Sequence, residues 1–216
     1  MENIQQKVAR VFIETHSLHC NIIEPFRLTS GTLSPSYVDC RKLISFPKQR
    51  KVVVDAFVEV IKNKFGLDSF DYLAGGETAG IPYASYVAER MNLPMIYVRK
   101  KSKGFGRLQQ VEGAIEEGQR VLLIEDLMFD AGSKLAFKEG IEKSGAVMSK
   151  LMVIFEYGIP ESKQKLDAAG VQYYALTNWH ALIDLVEKEE YLKPEEIKQI
   201  RLFLNDPKGW EEKRKQ

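Results

Sequence analysis

The chain has 216 residues, 44% of them hydrophobic and 28% charged, with a formal net charge of +1. That length fills one good-sized domain, with room for a small appendage, and the near-zero charge excludes a whole-molecule field that would recruit nucleic acid or an anionic membrane. Anion binding therefore has to come from local clusters. Cys20 and Cys40 are too few for a disulfide scaffold, which points to a reduced, cytoplasmic setting. The polar start MENIQQKVAR carries no apolar signal core, and apolar runs such as Leu151 to Phe155 fall far short of the about 20 residues that span a bilayer.

In chain order, Ile4, Val8, Val11 and Phe12 predict a first amphipathic helix. Residues 21–47 read as irregular strands and turns, broken at Ser30-Gly31 and Ser34-Pro35. After Pro47, the stripe Val53, Ala56, Phe57, Val60 and Ile61 predicts a helix ending near Gly66. From there short apolar runs alternate with helical stretches. Strands are expected at Tyr72 to Ala74, Met95 to Val98, Val121 to Ile124, Leu151 to Phe155 and Val171 to Leu176. Helices are expected at Gly80 to Met91, Lys134 to Lys143 and Glu161 to Ala169, and another starts at Lys193-Pro194-Glu195. Apolar strands without in-out alternation, separated by helices, predict an α/β fold: a mainly parallel sheet covered on both faces. The expected divisions are an N-terminal helix and hood over 1–47, an α/β core over 48–190, and a C-terminal helix and tail over 191–216.

Ligands of open α/β sheets bind beyond the carboxyl ends of the strands, and three loops there are unusual. Gly75-Gly76-Glu77-Thr78-Ala79-Gly80 joins a strand to a helix. It reads equally as a glycine-rich turn or as a phosphate cradle, but Ile81-Pro82 stands where a P-loop has Lys and Ser/Thr. Arg99 to Arg107 holds five cations and two glycines in nine residues. Such a run is a solvated basic loop, a nucleic-acid patch, or a flap that closes on a polyanion. Glu125-Asp126 ends a buried strand before Leu127-Met128-Phe129-Asp130-Ala131-Gly132-Ser133. Adjacent carboxylates on a strand point to opposite faces, and small residues with Ser133 at a helix start suit a phosphate, although Asp130 or Ser133 could simply cap the helix.

Together, these features resemble the phosphoribosyltransferase family, whose signature of four apolar residues, two acids, two apolar residues and a small-residue loop stands here as Val121 to Ser133. Phe26-Arg27-Leu28-Thr29-Ser30-Gly31, Ser34-Pro35-Ser36-Tyr37-Val38-Asp39, Gly80-Ile81-Pro82 and the Arg99, Lys100, Lys103, Gly106 spacing are similar to orotate phosphoribosyltransferases. The resemblance implies a twisted, mainly parallel sheet with a small N-terminal hood, acting on orotate and 5-phosphoribosyl 1-pyrophosphate. It implies that Glu125 and Asp126 meet the ribose hydroxyls and that Leu127, Met128, Phe129, Asp130, Ala131, Gly132 and Ser133 hold the 5-phosphate. Thr78, Ala79, Arg99 and Lys100 would take the pyrophosphate, Lys103 would act from a lid, and Tyr37 and Val38 would line the base pocket. It further implies a homodimer, and Mg²⁺ carried mostly by substrate oxygens rather than by protein ligands.

The chain departs from that family at Thr29, where Lys is usual, at Phe105, where the lid has His, and at Phe129, near which Thr is usual. Ala79 often is Lys, and an Arg that binds the base carboxylate would fall near Glu156-Tyr157; Arg27 or Arg41 is the expected stand-in. Another acceptor base, or a non-catalytic relative that only binds the donor, are the alternative readings. His16, His19 and Cys20 lie close in sequence, but a metal site needs three or four ligands with supporting partners, so a surface or dimer contact is expected there.

Overall fold

A computed structural model describes residues 3–101 and 110–214. Asn3 opens the first helix: its side chain accepts from the Gln6 N–H, and Gln6 accepts in return from the Asn3 N–H. Helix α1 (Ile4–Glu14) then buries Val8, Val11 and Phe12. Strands β1 (Leu18–Cys20), β2 (Phe26–Arg27), β3 (Leu33–Ser34) and β4 (Ser36–Val38) form two antiparallel ribbons, β1 with β4 and β2 with β3. Helix α2 (Pro47–Val60) starts on a proline, which needs no N–H partner there, and runs through a π turn (Ile61–Phe65) to Gly66 at φ +78°.

The rest of the chain is β5 (Tyr72–Gly76), α3 (Gly80–Met91), β6 (Met95–Val98), β7 (Val111–Glu112), β8 (Arg120–Met128), α4 (Gly132–Glu142), β9 (Val147–Glu156), α5 (Pro160–Ala168), β10 (Gln172–Asn178), α6 (Trp179–Lys188), α7 (Pro194–Asn205) and α8 (Pro207–Glu212). The six-stranded sheet runs β10-β9-β8-β5-β6-β7, parallel except for the edge strand β7. Val121, Leu122, Leu123 and Ile124 are each at most 1% exposed, because both faces are covered. Leu122 and Ile124 join the core under α1, α2, α3 and α6, whereas Val121 and Leu123 join a second core with Phe137 and Ile141 of α4 and Leu166 of α5. Each such side chain contributes roughly 1.5–3 kcal/mol of transfer free energy.

The expected α/β sheet forms, with an added antiparallel edge strand, β7, a β9 that begins at Val147 rather than Leu151, and two further differences. First, β8 does not stop at Ile124. It continues to Met128 because β9 runs on beside it, and Glu125, Leu127 and Met128 sit opposite Val153, Phe155 and Glu156. The turn before α4 therefore shrinks to Phe129–Ala131. Second, α6 follows β10 directly: Asn178 caps it by accepting from the Ala181 N–H, without a Gly or Pro to mark the break. No described helix is long and apolar enough to cross a membrane.

Candidate active site

The carboxyl ends of β5, β6 and β8 open on one cleft of about 420 Å³, closed on the other side by the ribbon residues Arg27–Ser30, Tyr37 and Val38. At the end of β5, glycine is a packing requirement: a Cβ on Gly75 would lie 2.6 Å from the Ile81 Cα, so only glycine lets α3 approach the strand. The Glu77–Thr78 peptide that follows is cis. Thr78 and Ala79 line the cleft, as does Lys100. The two loops are strapped together, because the Lys100 N–H donates to Glu77 Oε2 at 2.7 Å and the Glu77 N–H donates to the Val98 carbonyl at 2.8 Å. Arg99 is drawn elsewhere: its guanidinium lies 3.7 Å from Glu112 on β7, and it is not among the cleft-lining residues. Lys103 and Phe105 lie outside the described residues.

Strand alternation separates the two acids of β8. Asp126 faces the cleft; its Oδ1 accepts from the Leu127 N–H at 2.8 Å, and its Oδ2 stands 4.0 Å from Arg41. Glu125 also lines the cleft but is only 4% exposed, with Oε2 2.9 Å from the Nζ of the similarly buried Lys134. Burial pushes the Glu125 carboxyl up to about 7; Lys134 works against that shift and the Asp126 charge adds to it. Leu127, Phe129, Asp130 and Ser133 line the cleft, whereas Met128 and Ala131 are buried in the second core. Asp130 Oδ1 accepts from the Gly132 N–H at 3.1 Å, and Ala131 holds φ +59°, so the chain turns sharply into α4 and brings Ser133 of its first turn to the cleft. Phe129 packs edge-on to Tyr157 and stacks on Phe203 of α7, and its carbonyl accepts from Ser162.

On the hood side, Tyr37 packs against Phe26 and His19, and Tyr157 reaches across to donate to the Ser36 carbonyl at 3.3 Å. Arg27 and Arg41 both line the cleft, and the Arg27 Nη1 donates to the Gly31 carbonyl. His16 stacks on Tyr191 and His19 on Tyr37, so the two histidines serve different partners. Sequence reasoning missed Glu77, Lys134 and Tyr157 as cleft residues. The signal for Lys134 was available: strand alternation sends either Glu125 or Asp126 inward, and an inward acid needs a cation close by.

No family model matches the chain. The orotate phosphoribosyltransferase of Dinoroseobacter shibae is 48% identical over 208 residues, which is 96% of this chain and 92% of that protein. The crystal structure of orotate phosphoribosyltransferase from Aeropyrum pernix is similar with a TM-score of 0.72 at 26% identity, covering 86% of this chain and 99% of that one. UMP synthase of Leishmania donovani gives a TM-score of 0.82 at 26% identity over 94% of this chain, which spans 43% of that longer protein. A strand-end acid pair, a phosphate-sized turn behind it and near-complete alignment at 48% identity agree: the chain belongs to the orotate phosphoribosyltransferase family.

Proposed function

We propose that this chain transfers the phosphoribosyl group of 5-phosphoribosyl 1-pyrophosphate to orotate, giving orotidine 5-monophosphate and pyrophosphate. The observation that carries the reading is Asp126, which lines the same cleft as Phe129, Asp130 and Ser133 on one loop and Glu77, Thr78 and Ala79 on the other. In the reaction the bond from ribose C1 to the pyrophosphate oxygen breaks, and a bond to a ring nitrogen of the base forms. Positive charge develops on the sugar in between. Asp126 beside the ring stabilises that charge, and Lys100, together with Lys103 from outside the described residues, favours the departing anion. The N–H groups at the start of α4 and Ser133 take the 5-phosphate. Thr78 and Ala79 face the diphosphate, while Leu28, Tyr37 and Val38 give the base an apolar wall with Arg27 and Arg41 near its carboxylate.

Magnesium belongs to the same reading. Among the described residues, no three His, Cys, Asp or Glu side chains come together as a metal site. Four carboxylates line the cleft, and of these Glu77 is engaged by the Lys100 N–H and Glu125 by Lys134, which leaves Asp126 and Asp130 as the hard oxygens nearest to free. Such a set fits magnesium, which is held by one or two carboxylates together with substrate phosphates and water. When bound with the donor, it adds positive charge at the leaving oxygens. A homodimer and a cytoplasmic setting complete the proposal, supported by the family resemblance and by the free thiols of Cys20 and Cys40. The test is orotate consumption followed by absorbance with donor present, with and without Mg²⁺. Turnover that needs Mg²⁺ is expected; donor binding without any orotate turnover would overturn the assignment.

A further inference from the structure

The Glu125–Lys134 pair has no part in the chemistry just described, yet both residues line the cleft. Buried ion pairs are a weak source of stability, because desolvation offsets their attraction. Lys134 is also the third residue of α4, where a cation opposes the positive end of the helix dipole. Its position therefore reflects what it holds. Lys134 Nζ lies 2.9 Å from Glu125 Oε2 and donates to Ser133 Oγ at 3.1 Å, inside the turn assigned to the 5-phosphate. The other carboxylate oxygen, Oε1, is buried without a hydrogen-bond partner and occupies space that exists only because Gly76 and Gly80 lack side chains. A Cβ on Gly76 would stand 2.5 Å from it, and one on Gly80 would collide with it outright. Glu125 thus touches the α4 turn with one oxygen and the β5–α3 turn with the other.

We propose that Lys134 is a positioning residue for the phosphoribosyl donor that acts through Glu125. It seats the glutamate as a spacer between the two anion-binding turns and leaves Asp126 as the acid that meets the ribose. A donor held at both ends by separate loops binds only if their separation is right, and misplacement by an ångström is costly. This rests on the donor site assigned above.

The experiment is calorimetric binding of 5-phosphoribosyl 1-pyrophosphate with Mg²⁺ to the wild type, Glu125→Gln, Lys134→Met and the double variant, with KM values for donor and orotate measured alongside. Each single change is expected to weaken donor binding about tenfold, and the double variant to bind no worse than the weaker single, as for two side chains of one network. The KM for orotate stays unchanged. The double variant replaces the pair by neutral groups of similar shape, so it keeps the question open to test if Lys134→Met alone does not fold. Losses that multiply in the double variant would mean that Lys134 meets the donor directly, and singles that bind like the wild type would mean that the pair is idle; either result overturns the proposal. A wild type that binds donor but leaves orotate untouched overturns the acceptor assignment and leaves this inference standing. A wild type that binds no donor overturns both.

Discussion

Asp126 and Glu125 are neighbours in sequence and opposites in environment. The pleat of β8 leaves the Asp126 carboxylate partly accessible beside Arg41 and buries that of Glu125 against Lys134. Their roles follow from those surroundings. Asp126→Asn is expected to lower kcat about a hundredfold to a thousandfold, because it removes the charge that stabilises the sugar cation. Its thermal midpoint is expected to stay close to that of the wild type, since the Leu127 N–H can still donate to the amide oxygen. Steady-state kinetics with a melting curve checks both halves, and a variant with wild-type kcat would remove Asp126 from the ribose site. The acid pair itself was legible from its place at a strand end. Which of the two acids is buried against a cation was not, since that depends on Lys134 lying across the turn. Arg99 teaches the same lesson in reverse: its charge reads as an anion ligand, but an acid on the adjoining strand, Glu112, takes it.

Among the elements, β8 organises the molecule. It pairs with β5 on one side and β9 on the other, and its alternate residues feed both cores. Its first residue, Arg120, is anchored by donating to both oxygens of Asp71 at 2.7 and 3.0 Å and to the Asp68 carbonyl. Those side-chain hydrogen bonds hold the Asp71 carboxyl down at about 2. A carboxyl depressed in the folded state adds stability above its unfolded value of 3.8, and that stability is lost as pH falls toward 2. Urea unfolding of the wild type and Asp71→Asn is expected to show a gap that is full at pH 5 and narrows below about pH 4. Both side chains are well exposed, so the gap is small and shrinks in high salt. A gap that is independent of pH would show that the bond contributes through geometry alone. Helix α3 matches its expected span from Gly80 to Met91 because local signals mark both ends: a glycine start and Asn92 in the left-handed conformation. Strand β8 outruns its expected end because strand length is set by the partner, and β9 supplies register through Glu156.

At the scale of the whole molecule, the C-terminal helices brace the turn that leads from β8 into α4. Phe203 of α7 is fully buried; it stacks on Phe129 at 6.1 Å, meets Tyr157 edge-on at 6.4 Å and supports Trp210 of α8. Tyr157 in turn carries the hood through Ser36, so turn, hood and tail share one aromatic cluster. Phe203→Ala is expected to cost about 3–5 kcal/mol of stability and to raise the KM for the donor more than that for orotate, measured by denaturant unfolding and by kinetics. Equal KM values in variant and wild type would confine the tail to a role in stability. By itself the sequence determined the alternation of the main sheet strands with α3, α4 and α5, the glycine turns and the small-residue turn behind an acid pair, because periodicity, turn chemistry and strand alternation act over a few neighbouring residues. Only the tertiary structure decided that Lys134 holds Glu125, that Arg99 goes to Glu112, and that Arg27, Tyr157 and Asp126 line one cleft. Those pairings join segments far apart along the chain, and burial and charge settle them only once the sheet has brought the segments together.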